Sequence, residues 1–195
     1  MKKLICCLIF DIFLIWSCDT QKPSSAIPFH VCKQYGSPVS YSEGSHPGID
    51  FEINQGTPII AATEGEVSFV GDSGPEVSSI GGIFVRVQNA QHFDLIYAHL
   101  SKVYVKKGQL LKRGQLIGLS GASNDGLPHL HFGICRVGGS SQKYSQTYDP
   151  QKFWLDGRPK CFDPSADYSK HYPEAITIPI ACKAYAKQLI AVTEK

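Results

Sequence analysis

The chain of 195 residues lacks internal repeats and any long polar or repetitive tract. That length suits one domain with a proper core and is too little for two. A strong charge of either sign is also missing. The formal net charge is +2, so nothing points to nucleic acid or to electrostatic attraction to a membrane. No apolar run reaches the roughly 20 residues a membrane-spanning helix needs; the N-terminal one, Leu4 to Trp16, has 13. A sustained helical period is absent from the whole central region, which excludes a helical bundle.

Lys2 and Lys3 before the apolar run give residues 1–17 the positive and hydrophobic regions of an export signal. Asp11 interrupts that run at a cost on the order of 3 kcal/mol on insertion scales. The run ends in Ile15-Trp16-Ser17-Cys18, which resembles a bacterial lipoprotein box, with Trp16 bulkier than the pattern favours. The resemblance implies a lipid on Cys18, a membrane anchor through it, and a place in the periplasm or cell envelope. Plain secretion is the alternative. Beyond Cys6, Cys7 and Cys18 four cysteines remain: Cys32, Cys135, Cys161 and Cys182. An even count in an exported domain suggests two disulfides, with three possible pairings. Cys161 with Cys182 is favoured, because it closes a loop worth roughly 3 kcal/mol. Cys32 with Cys135 is then left.

Residues 18–40, with Pro23, Pro28 and Pro38, carry no helical or strand period and read as a tether and an arm. From Thr57 the text is densely β. Strands are expected at Pro58–Ala62, Gly65–Gly71, Ile83–Val87, Asp94–His99 and Leu116–Ser120, with a loop at Asp72–Gly82 and basic turns at Lys106–Gln109 and Lys112–Gln115. This predicts an all-β fold, an antiparallel β-sandwich or open barrel over residues 41–155. Residues 156–195 form a C-terminal extension with four prolines and one short amphipathic stretch, Ala181 to Val192.

Three clusters carry chemistry. In Pro128-His129-Leu130-His131-Phe132 alternation puts both imidazoles on one strand face, with their backbones roughly 6.6 Å apart, a spacing suited to one metal ion and its water. In His46-Pro47-Gly48-Ile49-Asp50 the Pro-Gly turn rules out a helix but can fold His46 back towards Asp50, an imidazole and a carboxylate of the kind zinc takes. In Tyr97-Ala98-His99-Leu100 alternation predicts Tyr97 and His99 on one face. Cys135 falls on the face of His129 and His131 but some 13 Å further along, too far to share an ion. His30, His92 and His171 lie outside these clusters and read as surface residues.

Together the clusters resemble the lysostaphin-type (LytM-like) zinc metallopeptidases, which cut peptides in peptidoglycan. The family pattern is His-x-x-x-Asp, a histidine after a Tyr-Ala-like pair, and His-x-His, in that order. Here these are His46 to Asp50, Tyr97-Ala98-His99, and His129-Leu130-His131. Gly56-Thr57-Pro58, Ala61-Ala62 and the run from Val105 to Gly121 fit the spacers, and Asp149-Pro150 resembles the segment that closes such domains. The likeness spans about residues 44 to 137. It implies one zinc per chain held by His46, Asp50 and His131, with His99 and His129 as catalytic histidines. Two His and one Asp leave a fourth position open, the mark of a catalytic rather than structural zinc. The implied activity is hydrolysis of stem peptides or cross-bridges by a zinc-activated water, and which histidine is the general base stays open. The alternative is a lipid-tethered, non-hydrolytic wall-binding or regulatory module of the same fold. Its cleft would be blocked by residues 156–195, or those residues would bind a regulatory partner.

Overall fold

The computed structural model describes residues 29–72 and 81–193. The export signal, Cys18, the tether up to residue 28 and most of the Asp72–Gly82 loop lie outside the described residues. The fold is all-β. Among the described residues ten strands run β1 (His30–Lys33), β2 (Gly48–Glu52), β3 (Pro58–Ile60), β4 (Gly65–Asp72), β5 (Ile83–Gln88), β6 (Phe93–Val103), β7 (Leu110–Leu111), β8 (Leu116–Ala122), β9 (Pro128–Arg136) and β10 (Thr147–Tyr148). Among the described residues the α-helix α1 (Lys183–Thr193) follows late in the chain. Among the described residues no helix is long and apolar enough to cross a membrane.

All ten strands belong to one antiparallel sheet, and that sheet forks. β6 pairs with β5 along one edge and is long enough to take two partners along the other. Phe93 to Ala98 pair with β9, and Leu100 to Val103 pair with β8. β8 and β9 touch each other only at Gly121–His129 and Ala122–Pro128. His99 sits at the branch point, with a left-handed φ of 63°. Gly121 closes the fork from the other side. A Cβ there would lie 2.7 Å from the His99 carbonyl oxygen and 2.9 Å from the Ser101 amide, so only glycine fits.

This bend corrects the expected facing of Tyr97 and His99. In a regular strand they would share a face. The left-handed residue inserts an extra step, as in a β-bulge. Tyr97 and Leu100 both go into the main core, and His99 turns to the opposite face. The buried Tyr97 hydroxyl accepts the Ala62 N–H at 3.0 Å.

Elsewhere alternation holds. Ile49 and Phe51 of β2 and Leu130, Phe132 and Ile134 of β9 enter the core, which leaves Asp50, His129 and His131 on the other face. The C-terminal extension is part of that core. Ile176, Ile178 and Ile180 are fully buried in it, beside Trp154. Backbone bonds from Thr177 to Ala62, from Ile60 to Pro179 and from Ala181 to Pro58 tie the segment along β3. The extension therefore packs on the core face, opposite the histidines.

Two other expectations change. The arm read as having no period contains β1, an edge strand of only four residues, too short to show alternation. The disulfide Cys161–Cys182 is formed. Cys32–Cys135 is not: Cys135 is a free buried thiol, and Cys32, itself disulfide-bonded, has another partner. Geometry explains why. β1 and β9 are two strands apart, about 9.6 Å, and Cys135 lies four residues beyond His131 along β9, about 13 Å. A disulfide tolerates Cα separations of only about 4.4–6.8 Å.

Candidate metal centre and paired histidines

Register assembles the site. Asp50 on β2 and Ala98 on β6 both pair with His131 on β9, and Glu52 pairs with His129. Directly paired residues have Cβ atoms about 4.5–5.5 Å apart, so the Asp50 carboxylate meets the His131 ring. His46 arrives by the Pro47-Gly48 turn. The arm grips it through His46 N–H to Ser37 and Gly36 N–H to His46.

Three atoms converge. His131 Nδ1 lies 2.9 Å from Asp50 Oδ1 and 3.1 Å from His46 Nε2, and His46 Nε2 lies 3.2 Å from Asp50 Oδ1. Tetrahedral zinc with bonds of about 2.0–2.1 Å separates its ligand atoms by about 3.3 Å. The triangle therefore has the size of three corners of such a site, and these residues could hold a metal ion. The donor chemistry agrees. His46 donates its Nδ1–H to the Gln34 carbonyl at 3.0 Å, which leaves Nε2 as a lone pair aimed at the centre. Burial alone would raise the Asp50 carboxyl, but hydrogen bonds and charge from His131 and His46 outweigh it and hold it well below the usual range. Burial also lowers His131, against the opposing pull of Asp50. Neutral imidazoles and an ionised carboxylate are the forms metal ligands need.

His99 and His129 stand beside this triangle, their ring centres 4.4 Å apart. His129 donates Nδ1–H to the Leu127 carbonyl at 2.9 Å, and its Nε2 lies 3.9 Å from Asp50 Oδ2. His99 donates Nδ1–H to the Gly81 carbonyl at 3.0 Å. Burial first, then the neighbouring His129 and His131, push its pKa down to about 3, so it is neutral near pH 7. All five residues singled out in the sequence thus come together at the fork. The backbone carbonyls of Gln34, Gly81 and Leu127, which set the three tautomers, left no side-chain signal in the sequence. Cys135 stays in a separate small cluster with Phe84, Ile96 and Ala98. His30 and His171 bond instead to Glu52 and Asp156, and His92 is exposed.

A forked antiparallel sheet with this face is the lysostaphin-type peptidase fold. The catalytic domain of lysostaphin from Staphylococcus simulans aligns with a TM-score of 0.57 at 34% identity, over 64% of this chain and 91% of that one. Residues 44–145 match the model of peptidase family M23, and the chain belongs to that family. The peptidoglycan DD-endopeptidase ShyA of Vibrio cholerae is 39% identical over 98 residues, 49% of this chain and 21% of ShyA. A zinc-containing peptidase from Vibrio cholerae aligns with a TM-score of 0.50 at 27% identity, covering 62% of this chain and 36% of that one. The chain spans only about a fifth to a half of the first curated relatives it matches.

Proposed function

We propose that this protein is a zinc-dependent endopeptidase that hydrolyses peptide bonds in peptidoglycan stem peptides or cross-bridges. The observation that carries the reading is the triangle of His46 Nε2, Asp50 Oδ1 and His131 Nδ1 with a second, tautomer-locked histidine pair beside it. The relatives' peptidoglycan activity supports the substrate class. His46, Asp50 and His131 hold the metal; His99 and His129 are the catalytic residues. When bound, zinc supplies a lowered pKa for a coordinated water and Lewis-acid polarisation of the scissile carbonyl.

The chain's own groups do the rest. With Nδ1–H committed to backbone carbonyls, His99 and His129 each keep Nε2 for the reacting atoms. The neutral His99 accepts a proton or a hydrogen bond without first losing one. Either ring can take the proton of the attacking water at Nε2 and then, as the imidazolium, pass that same proton to the leaving amine. The β2–β9 pairing fixes His131 relative to Asp50, so the metal ligands are held in place before substrate arrives. A lipid on Cys18 would hold the domain at the cell envelope.

The test is digestion of purified peptidoglycan by the soluble chain beginning at Asp19, read by mass spectrometry. New free peptides that disappear with chelator and with His131→Ala are expected. Intact wall after exposure to zinc-loaded protein would refute the reading.

A further inference from the structure

The outer sheet face carries a second row of side chains beside the metal ligands, and register sets it. Glu52 on β2 pairs with His129 on β9 and, on its other side, with His30 on β1. Side chains alternate along β2, so Glu52 shares the face of Asp50 and stands next to His129. Directly paired residues have Cβ atoms about 4.5–5.5 Å apart. A carboxylate thus lies one side-chain width from His129, and nothing in the proposed hydrolysis uses it.

His30 holds this carboxylate in place by donating Nδ1–H to Glu52 Oε2 at 2.8 Å. Glu52 Oε1 has no hydrogen-bond partner among the described residues. The side chain is 58% exposed, so a ligand can reach the free oxygen from solvent. From the loop between β8 and β9 the exposed Asp125 carboxylate also lies close enough to His129 for their charges to interact. In the neighbouring row Lys33 pairs with Asp50, so the negative surface beside His129 ends there.

We propose that Glu52 sets substrate specificity: its Oε1 receives a primary ammonium group on a side chain of the peptide being cut. This rests on the endopeptidase reading and adds the charge that the substrate carries beside the scissile bond. The chemistry of the site selects the ammonium. A carboxylate repels phosphate and other carboxylates. The metal-ligating cluster among the described residues is His46, Asp50 and His131, without Glu52, so the row is not built for a second metal ion. A guanidinium forms its paired bonds to both oxygens of a carboxylate, and His30 occupies one of them. An ammonium is a compact point donor that needs only the other. Consecutive residues of an extended peptide are about 3.3–3.6 Å apart, so the ammonium belongs to a residue within about two positions of the bond cut beside His129.

The test is digestion of purified peptidoglycan by the zinc-loaded soluble chain beginning at Asp19, compared with the same wall after acetylation of its free amines. Wild type is expected to release peptides from native wall about fivefold faster, the discrimination a solvent-exposed ion pair can supply. Glu52→Gln digests both walls at the same rate. Glu52→Lys reverses the preference and favours wall whose amines have been succinylated, which turns each cation into a carboxylate. Thermal midpoint and zinc content show that each variant is folded and loaded. Equal digestion of native and acetylated wall by wild type overturns the proposal and leaves the endopeptidase standing. So does an effect of acetylation that survives in Glu52→Gln, which would place the ammonium elsewhere, or a folded Glu52→Lys chain that still prefers native wall. If wild type digests neither wall, the endopeptidase reading itself is refuted and this proposal falls with it.

Discussion

Removing residues 156–195 should unfold the protein rather than open its cleft. Ile176, Ile178 and Ile180 have 1%, 0% and 0% of their surface exposed, and they join the same cluster as Phe51, Leu130 and Phe132. Full burial of one such side chain contributes about 1.5–3 kcal/mol, so the three together contribute roughly 5–9 kcal/mol. That is as large as the whole stability of many domains, about 5–15 kcal/mol. The deletion also removes the backbone partners of Ala62, Pro58 and Ile60 along β3. A milder perturbation gives a measurable number: Ile178→Ala should cost about 2–5 kcal/mol, for the lost burial and the cavity it leaves. Urea denaturation followed by the fluorescence of core residue Trp154 reads both. The expected result is a lowered midpoint with unchanged slope for Ile178→Ala, and no cooperative transition for the truncated chain. A truncated chain that kept its midpoint and cleaved peptidoglycan faster would refute the reasoning and make the extension a lock on the site.

Replacing Cys161 and Cys182 together by Ser should lower stability by roughly 3 kcal/mol, given a sequence separation of 21; an unchanged urea midpoint would contradict it. Gly82→Ala should act on activity more than on metal content. Gly82 has φ +73°, and a Cβ there would lie 2.8 Å from the His99 Cα, so the change displaces the His99 ring without touching His46, Asp50 or His131. A fall in rate of about 10- to 100-fold with zinc retained is expected, and a wild-type rate would sink the argument. The folded pKa of His99, about 3, lies below its ordinary value of 6.5. Its neutral form thus contributes stability that is fully present above pH 6.5 and lost as pH falls from there towards 3. Between pH 6.5 and 4 wild type should lose stability faster than His99→Gln, by up to about 1.4 kcal/mol per pH unit. Parallel decline in the two proteins would show that His99 is not the group responsible.

Strand positions and the identity of the chemical residues were legible in the sequence because both follow from local geometry. Alternating Ile49-Asp50-Phe51 and His129-Leu130-His131 present one set of side chains to the core and the other to the opposite face of the sheet whatever the rest of the chain does. The spacing of His46 and Asp50 across a Pro-Gly turn is equally local. Which strands would be neighbours was not local. β6 changes partner from β9 to β8 at His99, and that switch, invisible to a two-residue period, sends His99 to the face opposite Tyr97. The same long-range register separates Cys32 from Cys135. It also brings Ile176, Ile178 and Ile180, set among prolines far down the chain, into a core begun at Ile49. The carbonyls of Gln34, Gly81 and Leu127 that orient His46, His99 and His129 belong to this class too, since every residue has a carbonyl and only the fold decides where it points. The sequence by itself thus determined which side chains are candidates for the chemistry and on which kind of element they sit. The tertiary structure decided how they face one another, because register between distant strands is set by the packing of the whole core and not by any one segment.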